Sequence, residues 1–341
     1  MLKITVPVSR PEEVEMLAEN GAGELYCGFV PPEWLTRYGG AFWLNRRGPV
    51  AGNLHDREDV GLVTGRAHAR GIPVFVTFNA PYYTPEQQEF LLPLIGRLAE
   101  ESGIDGVIVS DVGFLVELRR ALPGLPVHAS SVMASLNPGM VDFLAELGAS
   151  RVIFPRSLGT EDISALCTAA AGRMETEAFV MNEGCVFEEG YCMTTHRSVG
   201  ALCVQLPDVP HRVLPLTPDA AAALAGEDRK PARELMGAFR DWVWFQNGCG
   251  NSVTAKGIPN GPCALCALFD LARTGLTSLK IAGRSASPLR KLVSLQMVRA
   301  VLDLVEMGAP REEVERKSVA LRNTPAFCEA RYMCYYRVAA S

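Results

Sequence analysis

The chain has 341 residues, 48% of them hydrophobic and 21% charged, which suits one large α/β domain or two ordinary ones and excludes a disordered chain. Its formal charge of −5 argues against a broad basic face, so nucleic acid is a secondary candidate partner that needs a local positive pocket. No run approaches the roughly 18 apolar residues of a membrane span, and the stretch 1–10 reads as neither a signal nor a transit peptide, which predicts a cytoplasmic protein.

Short β-branched, apolar runs recur at Ile4–Val8, Glu24–Phe29, Pro73–Asn79, Gly106–Asp111, Pro126–Ser131, Arg151–Arg156, Glu175–Asn182 and Ser278–Arg284. Between them lie amphipathic stretches such as Glu58–Arg70, Pro85–Ser102 and Gly139–Leu147. Gly21, Gly71, Gly103, Gly148 and Gly275 stand where a helix C-cap precedes the next strand. Near-continuous apolar strands predict parallel strands buried on both faces. Their number favours a closed (β/α)8 TIM-type barrel over an open doubly wound sheet. The regularity breaks once, after Asn182. Residues 183–277 read as an insertion after the seventh strand, within a single domain spanning 1–341. In a barrel that insertion leaves from the C-terminal face, where βα loops build active sites.

Ten cysteines are expected to meet a reducing compartment, where thiols stay free unless they hold metal or do redox work. Cys185, Cys192, Cys203, Cys249, Cys263 and Cys266 all fall in the insertion. Cys185 and Cys192 bracket a glycine-containing loop able to wrap a ligand, and Cys263 and Cys266 form a Cys-x-x-Cys pair after Pro259, Gly261 and Pro262. Four thiolates are the complement of a [4Fe–4S] cluster or of a structural zinc, and spacing leaves both open beside a reading as small buried hydrophobes. Cys167, Cys328 and Cys334 read as core residues. Cys27, ending the second strand, reads as an extra site residue at the mouth. A thioredoxin-like role for the Cys-x-x-Cys pair lacks the expected βαβ context.

Four stretches carry a family resemblance. They are Leu265-Cys266-Ala267-Leu268 through Ser278-Leu279-Lys280-Ile281-Ala282-Gly283-Arg284, Ile104-Asp105-Gly106 through Val112-Gly113, Val127-His128-Ala129-Ser130, and Glu177-Ala178-Phe179-Val180 leading to Cys185 and Cys192. Together they resemble the collagenase-like proteins once classed as U32 peptidases, over residues from Val6 to about Leu304. The resemblance implies an iron–sulfur protein of oxygen-independent hydroxylation, acting on a ubiquinone precursor or on RNA bases, with prephenate as hydroxyl donor for the RNA members. It also implies Cys185, Cys192, Cys203 and Cys266 as cluster ligands, with Cys249 and Cys263 as alternates. The chain departs from the family pattern at Asn182-Glu183-Gly184, where the family has His-Gly, at Ala282, where it has Glu, and at Val132, where it has Gln.

At the predicted strand ends stand Asn79, Asp111, His128, Ser130, Arg156, Lys280 and Arg284. Asp111, His128 and Lys280 are the catalytic candidates; Asn79, Arg156 and Arg284 are the substrate-binding ones. Asp111 is equally placed to cap a helix starting at Val112, and Asn79 to turn the chain before Pro81. A charge at the end of a buried strand needs a partner or a ligand. Arg156, Lys280 and Arg284 therefore predict an anionic group, and a small carboxylate such as prephenate suits them. The leading function is a redox or hydroxylase-like enzyme acting on a small anionic or aromatic substrate. A peptidase or hydrolase is the second, although neither Gly-x-Ser-x-Gly nor His-Glu-x-x-His is present. The third is a non-catalytic, cluster-bearing subunit of a heterodimer with a partner of the same family.

Overall fold

The structure is a computed structural model, and it describes residues 2–39, 42–46, 48, 50, 52–185, 188–194, 261–331 and 333–336. All eight apolar runs form strands: β1 (Lys3–Pro7), β2 (Glu24–Phe29), then, after a short unforeseen β3 (Asn53–Leu54), β4 (Val74–Phe78), β5 (Gly106–Val109), β6 (Val127–Ala129), β7 (Arg151–Ile153), β8 (Glu175–Met181) and β9 (Ser278–Ile281). Every pairing is parallel, and β1 pairs with both β2 and β9, so the eight strands other than β3 close into a ring. This is the predicted (β/α)8 barrel. Among the described residues β3 pairs only with Gly28 and Phe29 at the end of β2; at two residues it has no alternation from which it could be read.

Alternation in each strand builds two cores. On β2, Leu25, Cys27 and Phe29 join the apolar layer between strands and helices, whereas Tyr26 joins Phe75, Ile108, Ile153, Phe179 and Ala282 inside the barrel. The helix Pro85–Glu101 supplies Leu91, Leu94, Ile95 and Leu98 to the outer layer, and a capping box between Thr84 and Gln87 fixes its start. Four of the five glycines predicted to close helices or turns before strands have φ between 69° and 89°, and Gly21 has 92°.

The N-terminal end of the barrel interior is ionic. Arg151 is 1% exposed and bonds Glu24, Glu175 and Glu177. Thr5 donates toward Glu24 (2.9 Å) or Glu177 (3.1 Å), Lys280 Nζ lies 2.5 Å from Glu177, and Lys3 Nζ lies 3.0 Å from Glu24. Three cations facing three carboxylates leave no net charge in this layer, which is the condition for burying it.

Candidate active site

The opposite, C-terminal end of the barrel gathers the loops after the strands. The chain leaves β8 through two successive non-glycine residues at positive φ, Asn182 (66°) and Glu183 (42°). Such backbone is costly and is kept only where surroundings enforce it. Here the Asn182 amide donates to Pro262 O (2.8 Å) and its side chain to Ser294 Oγ (2.9 Å), while Tyr335 Oη (2.9 Å) and Arg156 Nε (2.7 Å) both donate to Glu183 O. The bend leads directly into the loop carrying Cys185, Glu189 and Cys192.

Glu189 is the centre of that loop. It is 1% exposed and accepts from Arg46 Nη1 (2.8 Å), from the Arg156 backbone amide (3.1 Å) and from Arg156 Nη1. Burial raises a carboxyl, but Arg156 and Arg46 outweigh it and hold Glu189 below the usual range. Arg156 also lies over the Phe179 ring at 3.5 Å. Cys192 and Cys185 stand within electrostatic reach of Arg46, and Cys185 also of Arg156. Among the described residues two guanidinium groups here stand against one carboxylate, an arrangement that favours thiolates or a bound anion.

Beside it, Arg284 donates to Thr77 Oγ1 and, at 3.0 Å, to Asn45 Oδ1, and Asn45 donates to Asn53 Oδ1 at 2.8 Å. Gly28 makes room for this arrangement: a Cβ there would stand 2.0 Å from Arg284 Nη1 and 2.1 Å from Asn53 Oδ1. Asn79 accepts from the Arg46 amide (3.2 Å) and donates to Ser130 Oγ (3.3 Å). Asn79, Ser130, Arg156 and Arg284 thus share the mouth with Arg46, Asn45, Thr77 and Glu189. The last four were missed by sequence reasoning. Arg46 and Asn45 lie in a stretch without strand or helix periodicity, and the one available signal for Glu189 was an acid placed between two loop cysteines.

Three other candidates take different places. Lys280 is held inside the barrel by Glu177 and lies 4.0 Å from the Tyr26 ring centre, so it does not converge with Arg156 and Arg284. Asp111 caps the helix Val112–Ala121 through Phe114 N (3.1 Å) and accepts from Tyr83 N (2.7 Å), which is the capping reading of that residue. His128 stacks on Phe75 with ring centres 4.2 Å apart and is 3% exposed. Cys27 likewise faces the helices, where burial pushes its thiol up to about 12. Cys203 and Cys249 lie outside the described residues.

Burial, and then the charge of Arg151, hold the His128 imidazole well below its ordinary value of 6.5. The unfolded chain binds this proton near pH 6.5 and the folded chain does not, so stability falls as the pH drops below 6.5. We expect a slope of up to about 1.4 kcal/mol per pH unit just below that point. His128→Asn should flatten it in urea unfolding from pH 7 to pH 5, and an unchanged slope would refute the assignment.

The closed parallel barrel makes this a TIM-type (β/α)8 protein, with thiols and arginines at its C-terminal mouth. More narrowly, the model of Peptidase family U32 matches residues 9–337, and the chain belongs to that family. It is 30% identical to tRNA hydroxylation protein P of Escherichia coli over 144 residues, 42% of this chain and 31% of that one. It is 29% identical to the 23S rRNA 5-hydroxycytidine C2501 synthase of the same organism over 157 residues, 45% of this chain and 23% of that one. The chain thus spans less than a third of the length of either. With tRNA hydroxylation protein P2 of Bacillus subtilis it shares 24% identity over 76% of this chain and 77% of that one. Among solved structures, the U32 peptidase Mk0906 aligns with a TM-score of 0.43 at 15% identity, over 83% of this chain and 94% of that one. No helix among the described residues is long and apolar enough to cross a membrane.

Proposed function

We propose that the chain is an iron–sulfur hydroxylation protein whose cluster sits at the barrel mouth beside Arg46 and Arg156. The observation that carries this reading is the placement of Cys185 and Cys192 around the buried Arg46–Glu189–Arg156 group. The donor set fits in part: two thiols in one loop, next to guanidinium groups that favour the anionic sulfur. Cys266 and one of Cys203 or Cys249 complete four in this reading, the last two lying outside the described residues. A [4Fe–4S] cluster bound there supplies single electrons.

The chain's own residues account for binding and orientation. Arg156, fixed by Glu189 and by the Glu183 carbonyl, and Arg284, fixed by Thr77 and Asn45, present cations to the mouth from two sides. An arginine fork holds a planar carboxylate by two parallel bonds, so a small dicarboxylate such as prephenate suits the pair. The names of the relatives support an RNA base as the ring to be hydroxylated. A ring of that kind requires only a local positive pocket, which a chain of net charge −5 can provide.

Chain isolated without oxygen is expected to carry iron and sulfide. Cys192→Ala should remove about four irons and four sulfides per chain, whereas Cys167→Ala should remove none, since Cys167 lies in the outer core against Thr176. Stoichiometric zinc at the mouth, or equal loss in both variants, would reject the cluster. Hydroxylated nucleosides, measured by mass spectrometry after incubating RNA with the loaded chain, separate an enzyme from a cluster-bearing subunit that is inert without its partner.

A further inference from the structure

The C-terminal tail runs back to the barrel mouth. Cys334, expected as a core residue, is only half-buried and forms a parallel bridge with Cys263: the Cys263 amide donates to Met333 O (2.8 Å) and the Tyr335 amide to Cys263 O (3.1 Å). Two side chains then fasten the segment to β8 and to the bend beyond it. Tyr336 Oη donates to Phe179 O (2.8 Å) and Tyr335 Oη to Glu183 O (2.9 Å). These hydrogen bonds set where the two tyrosines stand. Tyr336 is 6% exposed and joins the outer apolar layer. Tyr335 instead packs against the inner cluster that holds Phe179 and Ala282, and it stays part-exposed.

Three features meet at Tyr335. Its hydroxyl and the Arg156 guanidinium donate to the same oxygen, Glu183 O, so the two side chains stand side by side. Arg156 in turn lies over the Phe179 ring at 3.5 Å, and Phe179 belongs to the cluster on which Tyr335 packs. Glu183 takes Arg156 Nε and Glu189 takes Nη1, whereas Nη2 donates to nothing among the described residues, on a side chain that is 10% exposed. A part-exposed phenol ring beside a guanidinium edge with donors to spare matches a flat, unsaturated ring that carries an oxygen. The ring stacks, and the oxygen accepts from the arginine. A bare anion leaves the phenol unused, and a bare hydrocarbon leaves the guanidinium unused. We infer that Tyr335, supplied by the C-terminal tail, is a ligand-binding residue of the mouth that stacks the ring of such a molecule while Arg156 holds its oxygen.

A tyrosine that served only to pin the bend would need its hydroxyl, not an accessible ring beside a cation. Tyr336 gives the contrast, since it too donates to a carbonyl of this segment but is buried in the outer layer. Tyr335 is held at both ends, by its amide on Cys263 O and by its hydroxyl on Glu183 O, so its ring loses little freedom when a ligand arrives. Two sources carry the required chemistry: an unpaired RNA base, with its ring carbonyl, and a free carboxylic acid attached to an unsaturated ring. The choice of these two rests on the reading of the mouth as a hydroxylation site, and the stacking itself needs no cluster.

The test uses full-length protein isolated without oxygen, as the parent, as Tyr335→Ala and as Tyr335→Phe. In one arm the parent is irradiated with a single-stranded oligoribonucleotide carrying one 4-thiouridine, and the cross-linked tryptic peptide is located by mass spectrometry. In the other, phenylpyruvate and pyruvate, which differ by the ring alone, are titrated by calorimetry. A base as the ligand should place the cross-link in the peptide 332–337, and a ring-bearing acid should make phenylpyruvate bind more tightly than pyruvate. Whichever probe binds, Tyr335→Ala should weaken it about tenfold or more, the scale of one lost stacking contact. Tyr335→Phe, which keeps the ring and drops only the bond to Glu183, should bind it like the parent, and pyruvate should not distinguish the three proteins. A loss in Tyr335→Phe as large as that in Tyr335→Ala would overturn the inference, because the tyrosine would then act only by pinning the bend. So would equal binding by parent and Tyr335→Ala, or cross-links confined to other peptides together with no preference for phenylpyruvate. The cross-link and the preference are read on the parent, so they decide the matter even if Tyr335→Ala folds poorly. Iron and sulfide are measured on the same samples: a parent that lacks both but binds through Tyr335 would reject the cluster and leave this inference standing, and the reverse result would do the opposite.

Discussion

Arg151→Leu is expected to destabilise the fold by about 3–5 kcal/mol at pH 7.5, the range for breaking a buried ion pair from one side. The guanidinium uses all five of its N–H donors: Nε toward Glu175, Nη1 toward Glu24 and Glu177, Nη2 toward Glu24 and Glu175. Without it, Glu24 and Glu177, both fully buried, face only Lys3 and Lys280. The pH dependence distinguishes this from a simple packing defect. In the parent, burial would raise both carboxyls, but Arg151 at Glu24, and Lys280 with Arg151 at Glu177, hold them below the usual 4.5. Their contribution is therefore present above about pH 4.5 and is lost as the pH falls below it. In the variant burial meets less opposition, the carboxyls move up, and protonation relieves the folded state. The gap between variant and parent in urea unfolding should narrow from pH 7.5 to pH 5. A constant gap, or one under about 1 kcal/mol, would show that the charges are not what the arginine holds.

The strands were legible because a barrel strand is buried on both faces and its sequence is apolar without interruption. Even so, the inward residues at the N-terminal end of the barrel, Glu24, Arg151, Glu177 and Lys280, break that pattern, and nothing local announces that they neutralise one another. The strand-end rule brought Asn79, Ser130, Arg156 and Arg284 to the mouth correctly as positions, but it misplaced His128 and Lys280. Both belong to residues that point inward one step before the strand ends, and one residue along a strand decides between interior and rim. Arg46 and Glu189 were illegible for the opposite reason. Arg46 sits in an irregular loop and Glu189 at the start of the short 3-10 helix Glu189–Thr194, where periodicity carries no information and the closed barrel brings them within a salt bridge of each other. The pairing of Cys263 with Cys334 is likewise a tertiary event, made by two backbone hydrogen bonds between segments far apart in the chain.

At the mouth, Glu189→Gln is expected to cost on the order of 3 kcal/mol and to loosen the cysteine loop. The substitution keeps size but replaces one acceptor oxygen by a donor and removes the carboxylate that Arg46 and Arg156 share, their side chains being only 17% and 10% exposed. Two guanidinium groups then face each other across a neutral amide, and neither has water enough to screen the repulsion. The loss should appear as a fall of several degrees in Tm, at about 2–4 °C per kcal/mol. Because the penalty comes from uncompensated charge, removing one arginine as well should relieve it, so E189Q/R46M should melt above E189Q alone. The loop has a second readout. Glu189 fastens the segment between Cys185 and Cys192 to the Arg156 backbone amide, so under the proposed cluster reading the iron retained after gel filtration should fall in E189Q and stay low in E189Q/R46M, where the net charge returns to that of the parent but the tether is still neutral. A Tm within about 2 °C of the parent, or a double variant less stable than the single one, would mean that the carboxylate does not hold the two arginines together.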